Sequence, residues 1–184
     1  MTQLSAGEEF AAPVSRVRMG IGWDQDAGAG VARTGRPQVD LDATALQFTG
    51  SQLFDLAFYN NLATRDGSVT HLGDNQSGSG EGDDEAILVD LAKVHGPVDT
   101  ILFLVSSYQG HSLQWVANAY CRLVDDETDE ELARFTLTLG VQETGCVLAL
   151  LRRTPEGWVL KAVGEGVPIT VPTQGLAKLT RFVS

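Results

Sequence analysis

Val98-Asp99-Thr100-Ile101-Leu102-Phe103-Leu104-Val105, residues 98–105, is a nearly continuous apolar run. A half-exposed strand alternates apolar and polar residues, whereas a short run of this kind is typical of a strand that is covered on both faces. The run is far shorter than the ~20 apolar residues that a membrane-spanning helix needs. We therefore interpret it as a buried β-strand at the centre of the fold.

The segments around this run indicate further strands with a period of two. They are Val14–Trp23, Leu53–Tyr59, Val69–Leu72, Trp115–Val124, Leu132–Leu139, Cys146–Arg152 and Trp158–Val163, with Ile87–Val94 as a strand that leads into a helical turn. Turn signals separate them every ~8–12 residues, and no helical period is long enough for a parallel α/β sheet. The sequence therefore predicts one domain over residues 1–184, mainly all-β, an antiparallel β-sandwich with a few short helices, one over Leu176–Phe182.

Composition narrows the functional classes. The 184 residues carry a net charge of −11, which argues against binding to nucleic acid or to anionic lipid. The first ten residues lack the basic and apolar regions of a signal peptide. Cys121 and Cys146 each lie in an apolar segment, which is typical of buried thiols in a reducing compartment. We expect a cytoplasmic protein that does not insert into a membrane.

The segment Gly73–Glu85 combines glycines with acids. Five carboxylates lie within Asp74–Glu85, and two carboxylates ~5 Å apart repel by about 3 kcal/mol at an effective dielectric near 20. Glycines permit tight turns that point backbone carbonyls inward, and Ca²⁺ takes about six to eight oxygen ligands. Mg²⁺ would use fewer protein ligands. The pattern predicts a hard-cation site, with a solvated acidic loop as the alternative.

Two other acidic pairs fit the same interpretation. Asp40 and Asp42 share one face of a short alternating strand, where like charges are unfavourable unless they are compensated. Asp24 and Asp26 have the same spacing after a strand that contains Gly20. Each pair taken alone is equally consistent with solvent exposure. Together with the loop they supply enough oxygen ligands for two ions, and an ion between the loop and the Asp40 strand would tie the first half of the chain together.

Several motifs in order resemble the TerD-domain family of tellurium-resistance and general stress proteins. They are Gly22-Trp23-Asp24, Asp40-Leu41-Asp42, Phe58-Tyr59-Asn60-Asn61, Gly73-Asp74-Asn75, Gly82-Asp83-Asp84-Glu85, Glu131-Leu132-Ala133-Arg134-Phe135 and Ala162-Val163-Gly164-Glu165-Gly166. The resemblance covers roughly Val14 to Leu179. It implies a β-sandwich that binds calcium and a role in bacterial tolerance of tellurite and other chemical stress, together with other proteins of a stress-resistance complex.

The resemblance also implies a set of metal ligands. These are Asp24, Asp40, Asp42, Asp74, Asn75, Glu81, Asp83, Asp84 and Glu85. Asp26 matches the family pattern less well and is left out. Ser79 stands where the family often has an acid, and Glu81 where it often has an aspartate, so one of the two implied calcium sites would be weaker.

Two functional hypotheses follow. The first is a non-enzymatic protein in which Ca²⁺ orders the acidic loop and forms a binding or scaffold surface. The alternative is a metal-dependent phosphoester hydrolase, or a small-ligand-binding protein, that uses the same loop. His71 is the candidate general base for hydrolysis, although its strand position is more typical of a surface or hydrogen-bonded histidine. No Ser-His-Asp or Cys-His pattern accompanies it, and we favour the first hypothesis.

Overall fold

The computed structural model describes residues 1–25, 41–74, 82–137 and 141–184, and for residues 24, 25, 74, 115 and 117 it describes the backbone alone. The strands are β1 (Thr2–Leu4), β2 (Glu9–Ala11), β3 (Arg16–Gln25), β4 (Asp42–Thr49), β5 (Gln52–Ala57), β6 (Val69–Asp74), β7 (Glu85–Asp90), β8 (Thr100–Ser106), β9 (Val116–Asp125), β10 (Glu131–Thr136), β11 (Gly145–Thr154) and β12 (Gly157–Val167). Short 3₁₀ turns cover Leu91–Lys93, Leu113–Trp115, Pro172–Gln174 and Leu176–Lys178, and a single α-helical turn, α1, covers Thr180–Val183.

The strands form two six-stranded sheets. Sheet I has the order β1-β10-β9-β3-β7-β6, and sheet II has the order β2-β12-β11-β8-β4-β5. Every ladder is antiparallel except the pairing of β1 with β10. The predicted mainly antiparallel β-sandwich with few helices is thus confirmed.

The main core lies between the two sheets and follows the alternation of their strands. On β3, Val17, Met19 and Ile21 point inward and are almost fully buried, and on β8 Ile101 and Phe103 do the same. The intervening β3 residues therefore point away from the core, on the outer face of sheet I.

A second, smaller core explains why β8 is apolar on both faces. All seven of its residues are buried, and Leu102 and Leu104 pack on the outer face of sheet II with Leu179, Phe182 and Val183 of the C-terminal segment. The prediction that this strand is covered on both faces is confirmed. Its cover is the C-terminal segment, where the sequence predicted a short helix and the structure has a 3₁₀ turn followed by α1.

Some elements differ from the sequence-based expectation. β1 and β2 were not predicted, because each is only three residues long and pairs at a sheet edge. Cys121 and Cys146 are free and buried, as expected, and burial raises the pKa of each thiol to about 12. None of the helices in the described part of the chain has the length and apolarity required to cross a membrane.

Candidate metal site

The two described ends of the acid-rich segment, residues 73–74 and 82–85, are held at one end of the sandwich by three strands. In sheet I, Glu85 at the start of β7 is opposite both Asp74 of β6 and Ile21 of β3. From sheet II, the backbone N–H of Ala43 on β4 donates to the Glu85 carboxylate at 2.5 Å. The described ends of the acidic segment, the end of β3 and the start of β4 therefore meet at one end of the sandwich.

Glu85 lies at the centre of this junction. Its side chain is only 2% exposed, because β7 alternates inward from this residue toward Ile87 and Val89. Burial of a carboxylate costs free energy unless hydrogen bonds, an opposite charge or a metal compensates it. Since one carboxylate oxygen accepts from the backbone of β4, Glu85 connects the two sheets.

His71 faces Glu85 from β6 and is nearly as buried, with 4% of its side chain exposed. Its Nδ1 accepts the backbone N–H of Gly73 at 3.0 Å, so in the neutral ring the proton lies on Nε2. Nε2 is 3.4 Å from the Glu85 carboxylate. The predicted hydrogen-bonded histidine is confirmed, and both ring nitrogens face partners within the protein.

Asp84 points the other way and is exposed. Its backbone N–H donates to the carbonyl of Ile21 at 2.8 Å, and its carboxylate accepts the backbone N–H of Trp23 at 2.8 Å. The residue is thereby fixed to the end of β3, one residue before Asp24.

Asp83 lies across the outer face of sheet I. Arg122 of β9 donates to both of its carboxylate oxygens, from Nε at 2.8 Å and from Nη2 at 2.9 Å, and the Tyr120 hydroxyl donates at 3.0 Å. A Cβ at Gly20 would overlap this carboxylate, and a Cβ at Gly22 would overlap the Tyr120 ring. Gly20 and Gly22 thus make room for two side chains on the outer face of sheet I.

The contacts of Asp83 continue along the outer face of sheet I. Arg122 also lies 3.7 Å from Glu131, and Arg134 pairs with Glu131 at 2.5 Å while its guanidinium lies 4.4 Å from the centre of the Tyr120 ring. Burial and the Asp83 charge raise the pKa of Tyr120 to about 12. Its hydroxyl therefore remains a donor to Asp83 at neutral pH.

The four predicted ligands with described side chains take different positions. Asp42 is half-buried at the start of β4, opposite Ser106; Asp84 and Glu85 lie on either side of the junction, and Asp83 is bound by Arg122. Asp40, Asn75 and Glu81 lie outside the described residues, as do the side chains of Asp24 and Asp74. In the part of the chain that the structure describes, no three His, Cys, Asp or Glu side chains are close enough together to hold a metal ion.

Arg122 and Tyr120 are site residues that the sequence reasoning missed. Tyr120 and Arg122 lie on one face of β9, 37 and 39 residues after Asp83 respectively, and no local sequence pattern links them to Asp83. The sequence feature that could have indicated them is the alternate pair Gly20 and Gly22 in β3. Because these two positions carry no side chain on the outer face of sheet I, side chains from neighbouring elements must fill that space.

A single hydrogen-bonded carboxylate, Asp66, lies at the opposite end of the β6–β7 pair. Asp66 accepts from the Thr64 hydroxyl at 2.7 Å, from the Ser68 backbone and hydroxyl at 3.0 and 2.8 Å, from Gln47 Nε2 at 3.1 Å and from the His95 backbone at 3.0 Å. Burial alone would raise the pKa of Asp66, but these donors outweigh it and lower the pKa to about 2. No local sequence pattern distinguishes this residue, because Arg65-Asp66-Gly67-Ser68 resembles an ordinary turn.

Comparison with known proteins shows which family this chain resembles. The TerD domain model matches residues 3–181. The chain is 37% identical over 166 residues to tellurium resistance protein TerZ of Serratia marcescens, covering 88% of this chain and 85% of the relative. It is 38% identical over 165 residues to TerD of an Alcaligenes species, with coverage of 85% and 83%, and 34% identical over 168 residues to stress response protein SCP2 of Bacillus subtilis, with coverage of 84% of each.

Two solved structures share the fold. A homologue of the telluride resistance protein TerD from Streptomyces coelicolor, SCO6318, superposes with a TM-score of 0.70 at 17% identity, covering 90% of this chain and 97% of that one. The protein of unknown function SAV2460 gives 0.69 at 19% identity, with coverage of 88% and 95%. The chain belongs to the TerD domain family of tellurium-resistance and stress-response proteins.

Proposed function

We propose that this chain is a calcium-binding stress-response protein associated with tellurite and chemical-stress resistance, in which Ca²⁺ orders the acidic end of the sandwich and forms a binding or scaffold surface. The observation that carries the proposal is the junction at Glu85, which brings the acid-rich segment, the end of β3 and the start of β4 together. Of the remaining predicted ligands, the backbone of Asp24 lies on β3 and that of Asp74 lies on β6, opposite Glu85. Asp40, Asn75 and Glu81 lie outside the described residues, in segments 26–40 and 75–81.

The donor types at this end suit a hard cation. They are carboxylates and backbone carbonyls, which are the ligands that Ca²⁺ prefers. His71 is turned toward Gly73 and Glu85, and the thiols of Cys121 and Cys146 are buried in the apolar core, so soft or borderline ions such as Zn²⁺ are poorly supplied.

Roles within the predicted ligand set can be divided. Asp42 and Asp84 would hold the ion together with acids from the two neighbouring segments. Asp83 is already neutralised by Arg122 at 2.8 Å, and we assign it to anchoring the end of the acidic segment. Glu85 would fix the start of β4, and hence Asp42, against sheet I.

Binding fits this arrangement better than hydrolysis does. A general base needs a free nitrogen within reach of a bound water, and both nitrogens of His71 face groups of the protein. His71→Ala would therefore disturb the packing around Glu85, and we expect it to lower stability.

Calorimetric titration of chelator-stripped protein with Ca²⁺, and separately with Mg²⁺, tests the proposal. We expect micromolar or tighter Ca²⁺ binding, weaker Mg²⁺ binding, and a stoichiometry that gives the number of ions. Asp84→Asn should weaken Ca²⁺ binding at least tenfold. Glu156→Gln, which removes an exposed acid from the β11–β12 turn, should leave it unchanged. Absence of heat with Ca²⁺ would contradict the proposal.

A further inference from the structure

Large exposed apolar side chains are concentrated at the acidic end of the sandwich. In the described part of the chain five such side chains are more than a third exposed, and one of them is the terminal Met1. The other four are Tyr59 at 39%, Leu62 at 52%, Leu72 at 49% and Tyr108 at 53%. We call these four residues the apolar rim.

Register places the two tyrosines of the rim beside Asp42. β8 ends at Ser106, opposite Asp42, two residues before Tyr108. The Tyr59 ring meets the Tyr108 ring edge-on, with centroids 5.5 Å apart. The hydrogen bond with Tyr108, burial and the negative charge of Asp42 raise the pKa of Tyr59.

The two leucines of the rim lie beside the junction at Glu85. The carbonyl of Leu62 accepts the backbone N–H of His71 at 2.6 Å, so the 62–64 segment runs along the edge strand β6. Leu72 points outward from β6 and lines an open pocket together with Gly73, Asp83 and Arg122. The rim therefore borders the acidic end from the β4 side and from the β6 side.

The negative net charge of the chain favours a positively charged partner for this surface. A second copy of the chain would bring another net charge of −11, and nucleic acid or anionic lipid would be repelled in the same way. Two bound divalent ions would offset only four of these eleven negative charges. Tyrosine faces attract Lys and Arg through cation–π contacts, and tyrosines are enriched at the centres of protein interfaces.

We propose that the apolar rim, with the acids beside it, is a docking surface for a basic amphipathic segment of a partner protein. Basic residues of the segment would face Asp42 and the tyrosine rings, and its apolar residues would cover Leu62 and Leu72. The rim consists only of described residues, and it goes beyond the proposed calcium function because its side chains are not metal ligands.

A synthetic peptide tests this surface. The probe is a lysine, leucine and tryptophan peptide of about 18 residues and a charge of about +6, compared with an oligolysine of the same charge by calorimetry at about 0.15 M salt. We expect the amphipathic peptide to bind at least tenfold more tightly, with reduced hydrogen exchange at residues 58–63 and 107–111. Equal affinity of the two peptides would overturn the proposal, since charge alone would then explain binding.

Substitutions in the apolar rim test whether the amphipathic peptide binds there. Tyr59→Ser combined with Tyr108→Ser should weaken the amphipathic peptide at least tenfold, and Leu72→Gln, at an exposed position that cannot disturb the core, should weaken it severalfold. Gln52→Ala, at an exposed position that begins β5 beside the far β4–β5 turn, should leave the affinity unchanged. Unchanged affinity in Leu72→Gln and in the tyrosine variant would overturn the proposal, and so would a dimer of the wild type that these substitutions dissolve.

The outcome is separable from the calcium proposal. All variants are titrated with Ca²⁺ alone, and the rim substitutions should leave Ca²⁺ binding intact. Asp84→Asn should weaken Ca²⁺ binding. If Ca²⁺ fails to bind while the peptide still depends on the rim, the calcium proposal falls and the docking surface stands.

Discussion

The two ends of the β6–β7 pair both carry buried or half-buried carboxylates, and the chain stabilises them differently. At one end Asp66 collects five donors from four neighbouring residues, all within 3.1 Å. At the other end Asp83, Asp84 and Glu85 follow one another in sequence and point in three directions, to Arg122, to the end of β3 and to β4. The first carboxylate is satisfied locally, whereas the second group depends on three separate strands.

The comparison shows what distinguishes a structural acid from a candidate ion site. Asp66 sits among neutral hydroxyl, amide and backbone donors, which stabilise one charge and leave no reason for a cation. The Asp83–Glu85 end adds further acids from the neighbouring sequence, Asp74 and Glu81 among them, and accumulated negative charge at one place favours a divalent ion. Substitutions at the two ends should therefore differ in their effect on Ca²⁺ binding.

Gly20→Ala should have the largest effect on stability. The added Cβ overlaps the Asp83 carboxylate, so the Asp83–Arg122 pair must break or β3 must move. We expect a loss of about 3 kcal/mol in the free energy of unfolding, measured by chemical denaturation, together with weaker Ca²⁺ binding. Gly96→Ala, where a Cβ meets nothing within 4 Å, is the matched control and should be neutral or slightly stabilising. Wild-type stability in Gly20→Ala would remove the anchoring role of Asp83.

Asp66→Asn should destabilise the opposite end without touching the ion site. The amide replaces one acceptor oxygen with a donor, which then faces either the donors of Thr64 and Ser68 or those of Gln47 and His95. We expect a loss of about 2 kcal/mol. The affinity of this variant for Ca²⁺ should equal that of the wild type. Calorimetry measures it, with Glu156→Gln as the control variant. A large fall in Ca²⁺ affinity would mean that the two ends are coupled, contrary to the comparison.

Acid should weaken the Asp66 end over a defined pH range. Because the pKa of Asp66 falls from an ordinary value near 4 to about 2 in the folded chain, its contribution is complete above about pH 5 and is lost as the pH falls toward 2. Allowing for its partial exposure, the contribution is about 1–2 kcal/mol. Denaturation curves at several pH values should show a smaller loss below pH 4 in Asp66→Asn than in the wild type. Parallel curves for the two proteins would contradict this.

Tyr120→Phe should have the smallest effect. It removes one donor to Asp83 and leaves the Arg122 pair intact, so we expect a loss of about 1 kcal/mol. The pKa of about 12 for Tyr120 also predicts that, in an ultraviolet titration of the three tyrosines, the component that ionises last disappears in this variant. Its persistence would place the high pKa on another tyrosine.

The fold was predictable because its signals are local. The residue 98–105 run indicated a strand covered on both faces, and alternation in β9, β11 and β12 indicated a sandwich. β1 and β2 were missed because three residues at a sheet edge carry too little periodicity. For the site, the sequence identified the acids, but it did not predict the Asp83–Arg122 pair, whose members lie far apart in the chain and are joined by the register of the sheet. Around Asp66, the donors Gln47 and His95 are likewise distant in sequence. Thr64 and Ser68 are only two residues away from Asp66, but there the sequence resembles an ordinary turn.

The central claim is that the Asp83–Glu85 end uses an ion and the Asp66 end does not. The most direct test is the melting temperature of the wild type, Asp84→Asn and Asp66→Asn, each with a chelator and with millimolar Ca²⁺. At about 1,000 times Kd, ligand linkage supplies about 4 kcal/mol, which for a chain of this size corresponds to about 8–16 °C. We predict that rise in the wild type and in Asp66→Asn, and a clearly smaller rise in Asp84→Asn. The same melting temperature for the wild type with chelator and with Ca²⁺, or an equal rise in Asp84→Asn, would contradict the account.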